Sequence, residues 1–167
     1  KELELVSNEL QSLSANAKIF YKAADLSKKE ACVHFANWCK VTVDRIDILV
    51  NNSGQFLPGS IHNEADGILE QMMESNVYSA YHVTRNLVQH MINNRSGQIY
   101  NICSIASLQA YANGGSYSIS KYALLGFSKN LREELKPYGI KVTAIMPGAV
   151  FTNSWSGSGV DPERIME

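Results

Sequence analysis

Apolar residues recur at helical spacing in the opening segment, where Leu3, Val6, Leu10 and Leu13 share one face and polar residues fill the rest. Residues 17–25, AKIFYKAAD, then read as a strand ending at Asp25 and Leu26. Ser27-Lys28-Lys29-Glu30 has the spacing of a capping box, which predicts a helix from there to about residue 40. The run Ile48-Leu49-Val50 predicts a short buried strand, stopped by Asn51-Asn52-Ser53-Gly54. Residues 55–63 carry Pro58 and Gly59 and read as a loop. A long helix is expected over roughly residues 65–93, with Val83, Leu87 and Met91 as its apolar stripe. Ser96-Gly97 turns the chain into a strand over residues 98–104. After a second loop, Leu124, Phe127, Leu131 and Leu135 line a helix from about Tyr117 to Lys136, ended by Pro137 and Gly139. Residues 141–146 form a last strand, broken by Pro147-Gly148, and a Ser- and Gly-rich tail from Thr152 reads as loose chain.

Strands alternating with helices predict an α/β fold, a Rossmann-like doubly wound parallel sheet with helices on both faces. Residues 1–167 suit one domain. In such sheets ligands bind outside the carboxyl ends of the strands. Each expected strand ends in a polar or glycine-bearing stretch: Asp25, Asn51 to Gly54, Cys103-Ser104 and Pro147-Gly148. The topology therefore gathers separate strand ends into one candidate site.

Composition narrows the function. Apolar residues make up 45% of the chain, enough for a core, and the net charge of -1 gives no electrostatic case for nucleic acid or a membrane surface. No apolar run approaches the ~20 residues of a membrane helix. Cys32, Cys39 and Cys103 have no disulfide-framework spacing and read as small buried hydrophobes, which fits a reducing cytoplasm. The four histidines do not pair at metal-ligand spacing, so no metal site is expected.

Tyr117 and Lys121 stand at i and i+4, so phenol and ammonium share one helix face. A free tyrosine titrates near ~10, and a neighbouring cation can lower that by ~1–3 units. The pair could then hand a proton to a carbonyl or take one from an alcohol. Taken alone, Tyr-x-x-x-Lys is common on helix surfaces. Ser104 strengthens the case, because a strand-end hydroxyl thirteen residues earlier could donate to a substrate oxygen as charge develops. By itself such a serine often serves only its own backbone.

These residues resemble those of the classical short-chain dehydrogenase/reductase family. The resemblance is carried by Ile99-Tyr100-Asn101-Ile102-Cys103-Ser104, by Tyr117-x-x-x-Lys121, by Pro147-Gly148-Ala149-Val150-Phe151-Thr152, by Asn51-Asn52-Ser53-Gly54, by Asp25-Leu26 and by the position of Asn76. It implies an oxidoreductase that moves a hydride between a nicotinamide cofactor, NAD or NADP, and a ketone/aldehyde or alcohol. Tyr117 would be the general acid/base and Lys121 would lower its pKa and hold the nicotinamide ribose. Ser104 would polarise the substrate carbonyl, and Asn76 would hold a water that continues the relay. Asp25 and Leu26 would meet the adenine, and Asn51, Ser53 and Gly54 would lie near the cofactor ribose. Pro147, Gly148, Val150 and Thr152 would frame the nicotinamide. The two long helices would make a homodimer or homotetramer.

Two positions depart from the family pattern: Ser53 replaces an alanine and Cys103 a common serine, and both replacements are small. The family's glycine-rich phosphate turn and its first two strands are not in this sequence, which is expected to be part of a longer protein. The competing reading is a non-catalytic protein that keeps the fold for binding or regulation. An enoyl reductase is disfavoured by the Tyr-to-Lys spacing. Residues 55–63, residues 107–116 and the tail would set the substrate, with Ala106, Leu108, Ala110 and Tyr111 as an apolar wall.

Overall fold

In a computed structural model the chain is described over residues 1–14 and 16–150. Thr152 and the rest of the expected tail lie outside the described residues. Helices α1 (Glu2–Leu13) and α2 (Lys29–Thr42) precede strand β1 (Ile48–Asn51). Helix α3 (Ile68–Met73) runs through a π turn (Glu74–Tyr78) into α4 (Ser79–Asn94). Strand β2 (Gly97–Ile102), a 3-10 turn (Ile105–Ser107), helix α5 (Gly115–Leu135) and strand β3 (Ile140–Ile145) complete the order.

The three strands pair in parallel in the order β1-β2-β3. Leu49 stands opposite Ile99, and Ile99 opposite Val142. Two apolar layers fill the space between sheet and helices. Met91, Ile99, Leu131, Leu135, Ile140 and Val142 pack together where α4 and α5 cross the sheet. Val77, Ala80, Cys103, Leu124 and Leu125 form a second cluster nearer the strand ends. Cys32 and Ala36 seat α2 on Val83 and Leu87 of α4.

Two local expectations fail, each for a physical reason. Residues 17–25 form no ladder, although their composition suits a strand. A strand needs a neighbour for its N–H and C=O groups, and the described strands pair only with one another. The capping box at Ser27 does not form either. Asp25 Oδ1 instead accepts both the Ser27 N–H at 3.1 Å and the Ser27 hydroxyl at 2.7 Å, and α2 starts two residues later at Lys29. An aspartate two residues upstream outcompetes the glutamate because its short side chain closes an Asx turn.

Candidate active site

The carboxyl ends of the strands are joined by buried amides. Asn51 and Asn101 are register partners, and the Asn51 amide donates to Asn101 Oδ1 at 2.8 Å and to Thr84 Oγ1 at 2.9 Å. Asn101 in turn donates to Ser128 Oγ at 2.8 Å, and Ser128 donates to the Leu124 carbonyl at 2.7 Å. This chain of polar contacts ties β1 and β2 to α4 and α5. It commits the Asn51 amide to the scaffold, at the strand end where the resemblance puts the cofactor ribose. Ser53 and Gly54, just beyond it, are exposed.

Ser104 lies past the end of β2. Its hydroxyl accepts the Ala106 N–H at 3.1 Å, and its own N–H donates to Ser107 Oγ at 3.2 Å. A hydroxyl can accept and donate at once, so the fold fixes Ser104 through a lone pair and leaves its proton to give. The Ile105 N–H donates to the Pro147 carbonyl at 3.0 Å, which locks this turn to the end of β3.

Tyr117 is half-buried in the first turns of α5, with its ring edge-on to Phe56 at 4.8 Å between centroids. Lys121 is 7% exposed, and its ammonium donates to the Ile102 carbonyl at 2.9 Å while lying 5.7 Å from the Tyr117 ring centroid. Burial pushes the Tyr117 phenol above its usual range, and a hydrogen bond with Ser104 works in the opposite direction. Burial pushes Lys121 down. The sequence-based expectation of a lowered tyrosine pKa is therefore reversed. Both groups have left water, and the ammonium is turned toward a backbone carbonyl.

Asn76 is fully buried in the middle of the π turn. Its Oδ1 accepts the Gln55 N–H at 2.7 Å, and its amide donates to the Gln55 carbonyl at 3.0 Å and to Ser120 Oγ at 2.9 Å. Side chain and backbone thus clasp reciprocally just after Gly54. A Cβ on Gly54 would stand 2.9 Å from Asn76 Oδ1 and 3.6 Å from Lys121 Nζ, so glycine keeps this space open. Ser104, Tyr117, Lys121, Asn76 and Gly54 are in this way brought to one place from four stretches of chain.

The remaining expected residues are placed more loosely. The Asp25 carboxylate is exposed, and its pKa is lowered by the Ser27 hydrogen bonds. Leu26 packs its side chain on the α2–α4 cluster. Pro147 is half-buried, and Gly148 and Val150 are exposed beyond β3. Cys32 and Cys103 are buried and Cys39 is half-buried, all as free thiols. Among the described residues no group of His, Cys, Asp and Glu could hold a metal, and no helix is long and apolar enough to cross a membrane.

A protein-family model described as short chain dehydrogenase matches residues 1–161. This chain belongs to the short-chain dehydrogenase family. An uncharacterized oxidoreductase of Bacillus subtilis (strain 168), YusZ, is 33% identical over 156 residues, covering 91% of this chain and 55% of the relative. Dehydrogenase/reductase SDR family member 7B of Xenopus tropicalis is 36% identical over 129 residues, covering 77% of this chain and 42% of the frog protein. Among solved structures, a 7α-hydroxysteroid dehydrogenase complexed with NADH and 7-oxo glycochenodeoxycholic acid superimposes with a TM-score of 0.87 at 28% identity, over 96% of this chain and 62% of that one. A metagenomic short-chain oxidoreductase in complex with NADP gives 0.79 at 30% identity, over 89% of this chain and 66% of that one. The chain spans about half the length of the curated relatives it matches.

Residues that the sequence did not single out one by one also support this corner. Ser107 orients Ser104, Ser120 holds the Asn76 amide, Gln55 supplies the backbone clasp, and Phe56 walls Tyr117. Ser-x-x-Ser at 104–107 and the serine before Lys121 were legible as patterns. Gln55 was not, because it acts through its main chain.

Proposed function

We propose that this chain carries the catalytic groups of an NAD(P)-dependent oxidoreductase that interconverts a ketone or aldehyde and an alcohol. The observation behind this reading is the convergence of Ser104, Tyr117 and Lys121 in one corner, with the Lys121 ammonium 5.7 Å from the Tyr117 ring centroid and Ser104 near enough to Tyr117 to lower its pKa. The related structures that hold NADH and NADP support a nicotinamide nucleotide as cofactor. The residues here fit such a group. Ile102 takes one of the three Lys121 donors, and the bare Cα of Gly54 lies beside that ammonium, which suits the hydroxyls of a ribose. Asp25, Leu26, Asn51, Ser53, Pro147, Gly148, Val150 and Thr152 would border the same nucleotide, Asn51 through its backbone.

When bound, the nicotinamide supplies or accepts the hydride. The protein does the rest. Ser104 donates its hydroxyl proton toward the carbonyl oxygen, and Tyr117 transfers its proton to that oxygen on reduction or takes it back on oxidation. Lys121 steadies the phenolate that results. Asn76, its side chain engaged by Gln55 and Ser120, would hold the water that continues the relay. Ile105, Leu108 and Tyr111 are exposed around Ser104 and suit an apolar substrate. Outer faces of α4 and α5, with Tyr81, Ile119 and Tyr122 exposed, would join protomers into a homodimer or homotetramer.

The test is nucleotide-dependent turnover of a panel of apolar ketones by the full-length protein, with Tyr117→Phe beside it. Turnover that Tyr117→Phe abolishes, with nucleotide binding intact, supports the proposal. Binding without turnover of any ketone in the wild-type protein assigns the fold to a binding module instead.

A further inference from the structure

Three contacts outside the Ser-Tyr-Lys corner join two segments that are distant in sequence. The Gly59 N–H donates to the Asn113 carbonyl at 3.0 Å, and the Ser60 hydroxyl to Asn113 Oδ1 at 2.8 Å. Glu64 takes the third contact with both carboxylate oxygens: Oε1 accepts the Ser116 hydroxyl, and Oε2 accepts the Ser116 N–H at 3.4 Å. Backbones meet here as well. Gly115 has φ +42°, and a Cβ on it would come within 2.5 Å of the Gly59 carbonyl oxygen. Asn113 also sits at positive φ, 62°, a conformation its residue type tolerates.

What this junction holds gives it meaning. Ser116 is 1% exposed and directly precedes Tyr117. The residue before α5, Gly114, offers no side chain, so the first turn has no side-chain cap from its own segment. Glu64 reaches across 52 residues to supply it. A carboxylate is the favoured partner there, since the N-terminal end of a helix carries partial positive charge. On the other side of the junction, the segment that ends at Glu64 begins with Gln55, clasped by Asn76, and Phe56, packed on the Tyr117 ring.

We propose that Glu64 is a positioning residue: it latches the 55–64 segment to the first turn of α5, so that Tyr117, Phe56 and the substrate-facing 109–116 segment are held as one unit. This rests on the oxidoreductase reading above for its kinetic consequence, though not for its structural one. With the latch open, the start of α5 frays and the phenol loses its fixed direction. The effect falls on the proton-transfer step and not on nucleotide binding. Glutamine keeps the latch, because Oε1 can accept the Ser116 N–H while the amide donates to the Ser116 hydroxyl. Alanine does not.

The experiment uses the full-length protein with Glu64→Ala and Glu64→Gln. Amide hydrogen exchange is followed in segments 56–63 and 109–116, and kcat, KM and nucleotide affinity are measured with a ketone that the wild type reduces. Glu64→Ala is expected to speed exchange in both segments together and to lower kcat about 10-fold with nucleotide affinity unchanged. Glu64→Gln should restore kcat to within about 2-fold of wild type. Faster exchange in only one segment, an unchanged kcat in Glu64→Ala, or no recovery in Glu64→Gln overturns the latch. Should Glu64→Ala not fold, Ser116→Ala removes the hydroxyl arm from the other side, and unaltered exchange there overturns it equally. A wild-type protein without turnover defeats the oxidoreductase reading, while the exchange data still decide the latch.

Discussion

Tyr117 and Lys121 show why a residue pair cannot be judged apart from its solvent. In water the ammonium would stabilise the phenolate, but here burial dominates and holds the phenol protonated past its ordinary range. The sign of the pH dependence follows. A raised pKa keeps the proton donor loaded through neutral pH, so carbonyl reduction should stay flat there and fall only as pH climbs through the Tyr117 pKa. Alcohol oxidation, which needs the phenolate, should rise over the same alkaline range. Ser104→Ala removes the hydrogen bond that lowers the phenol, so the alkaline limb of its residual rate should move to still higher pH. A pH–rate profile in each direction checks this, and a limb that moves toward neutral in Ser104→Ala would contradict it.

At the scale of elements, the π turn between α3 and α4 matters most. Single wide turns of this kind inside helices often mark functional positions, and this one carries Asn76 at its centre. The turn faces the end of β1, where the Gln55 main chain is held by the Asn76 amide and Gly54 leaves room for it. Gly54→Ala places a methyl 2.9 Å from Oδ1 of the buried Asn76, whose side chain is fixed by hydrogen bonds to Gln55 and Ser120. Overpacking of this kind costs about 1–3 kcal/mol. Denaturant unfolding should show a loss of that size, and, on the proposed function, nucleotide affinity should fall with it because the methyl fills the space beside the Lys121 ammonium. A variant with wild-type stability and affinity would show that the clasp is soft.

The sheet as a whole is asymmetric. β3 and β2 pair along six residues, and β1 pairs with β2 along four, yet the far side of β1 meets no strand among the described residues. Ile48 and Val50, which share one face of β1, are 57% and 53% exposed beside that edge. An open edge with apolar side chains is a template for pairing with another chain. A polypeptide of these 167 residues is therefore expected to self-associate, and Ile48→Lys should lower its light scattering several-fold at equal concentration. Scattering that is the same in both proteins would place the sticky surface elsewhere, for instance on α1, which buries none of its residues.

The periodicity of residues 68–94 and 115–135 was legible in the sequence because local spacing alone decides which side of a helix is apolar. So were the three short strands, whose apolar runs end in turn residues, and the Ser104, Tyr117 and Lys121 pattern with the family it belongs to. Residues 17–25 were misread because a strand is a property of two segments, and composition reports only one. The capping of α2 was misread because Asp25 and Glu30 compete for the same backbone, and geometry decides between them. The site's support was invisible for a related reason. Gln55 acts through its main chain, Glu64 reaches Ser116 across 52 residues, and Asn51 turns inward to Asn101. The sequence by itself determined which groups are available for proton chemistry. Tertiary structure alone decided how deeply they are buried, which of their hydrogen bonds are already spent, and in which direction their pKa values move, because desolvation and hydrogen bonding depend on neighbours that the linear order does not bring together.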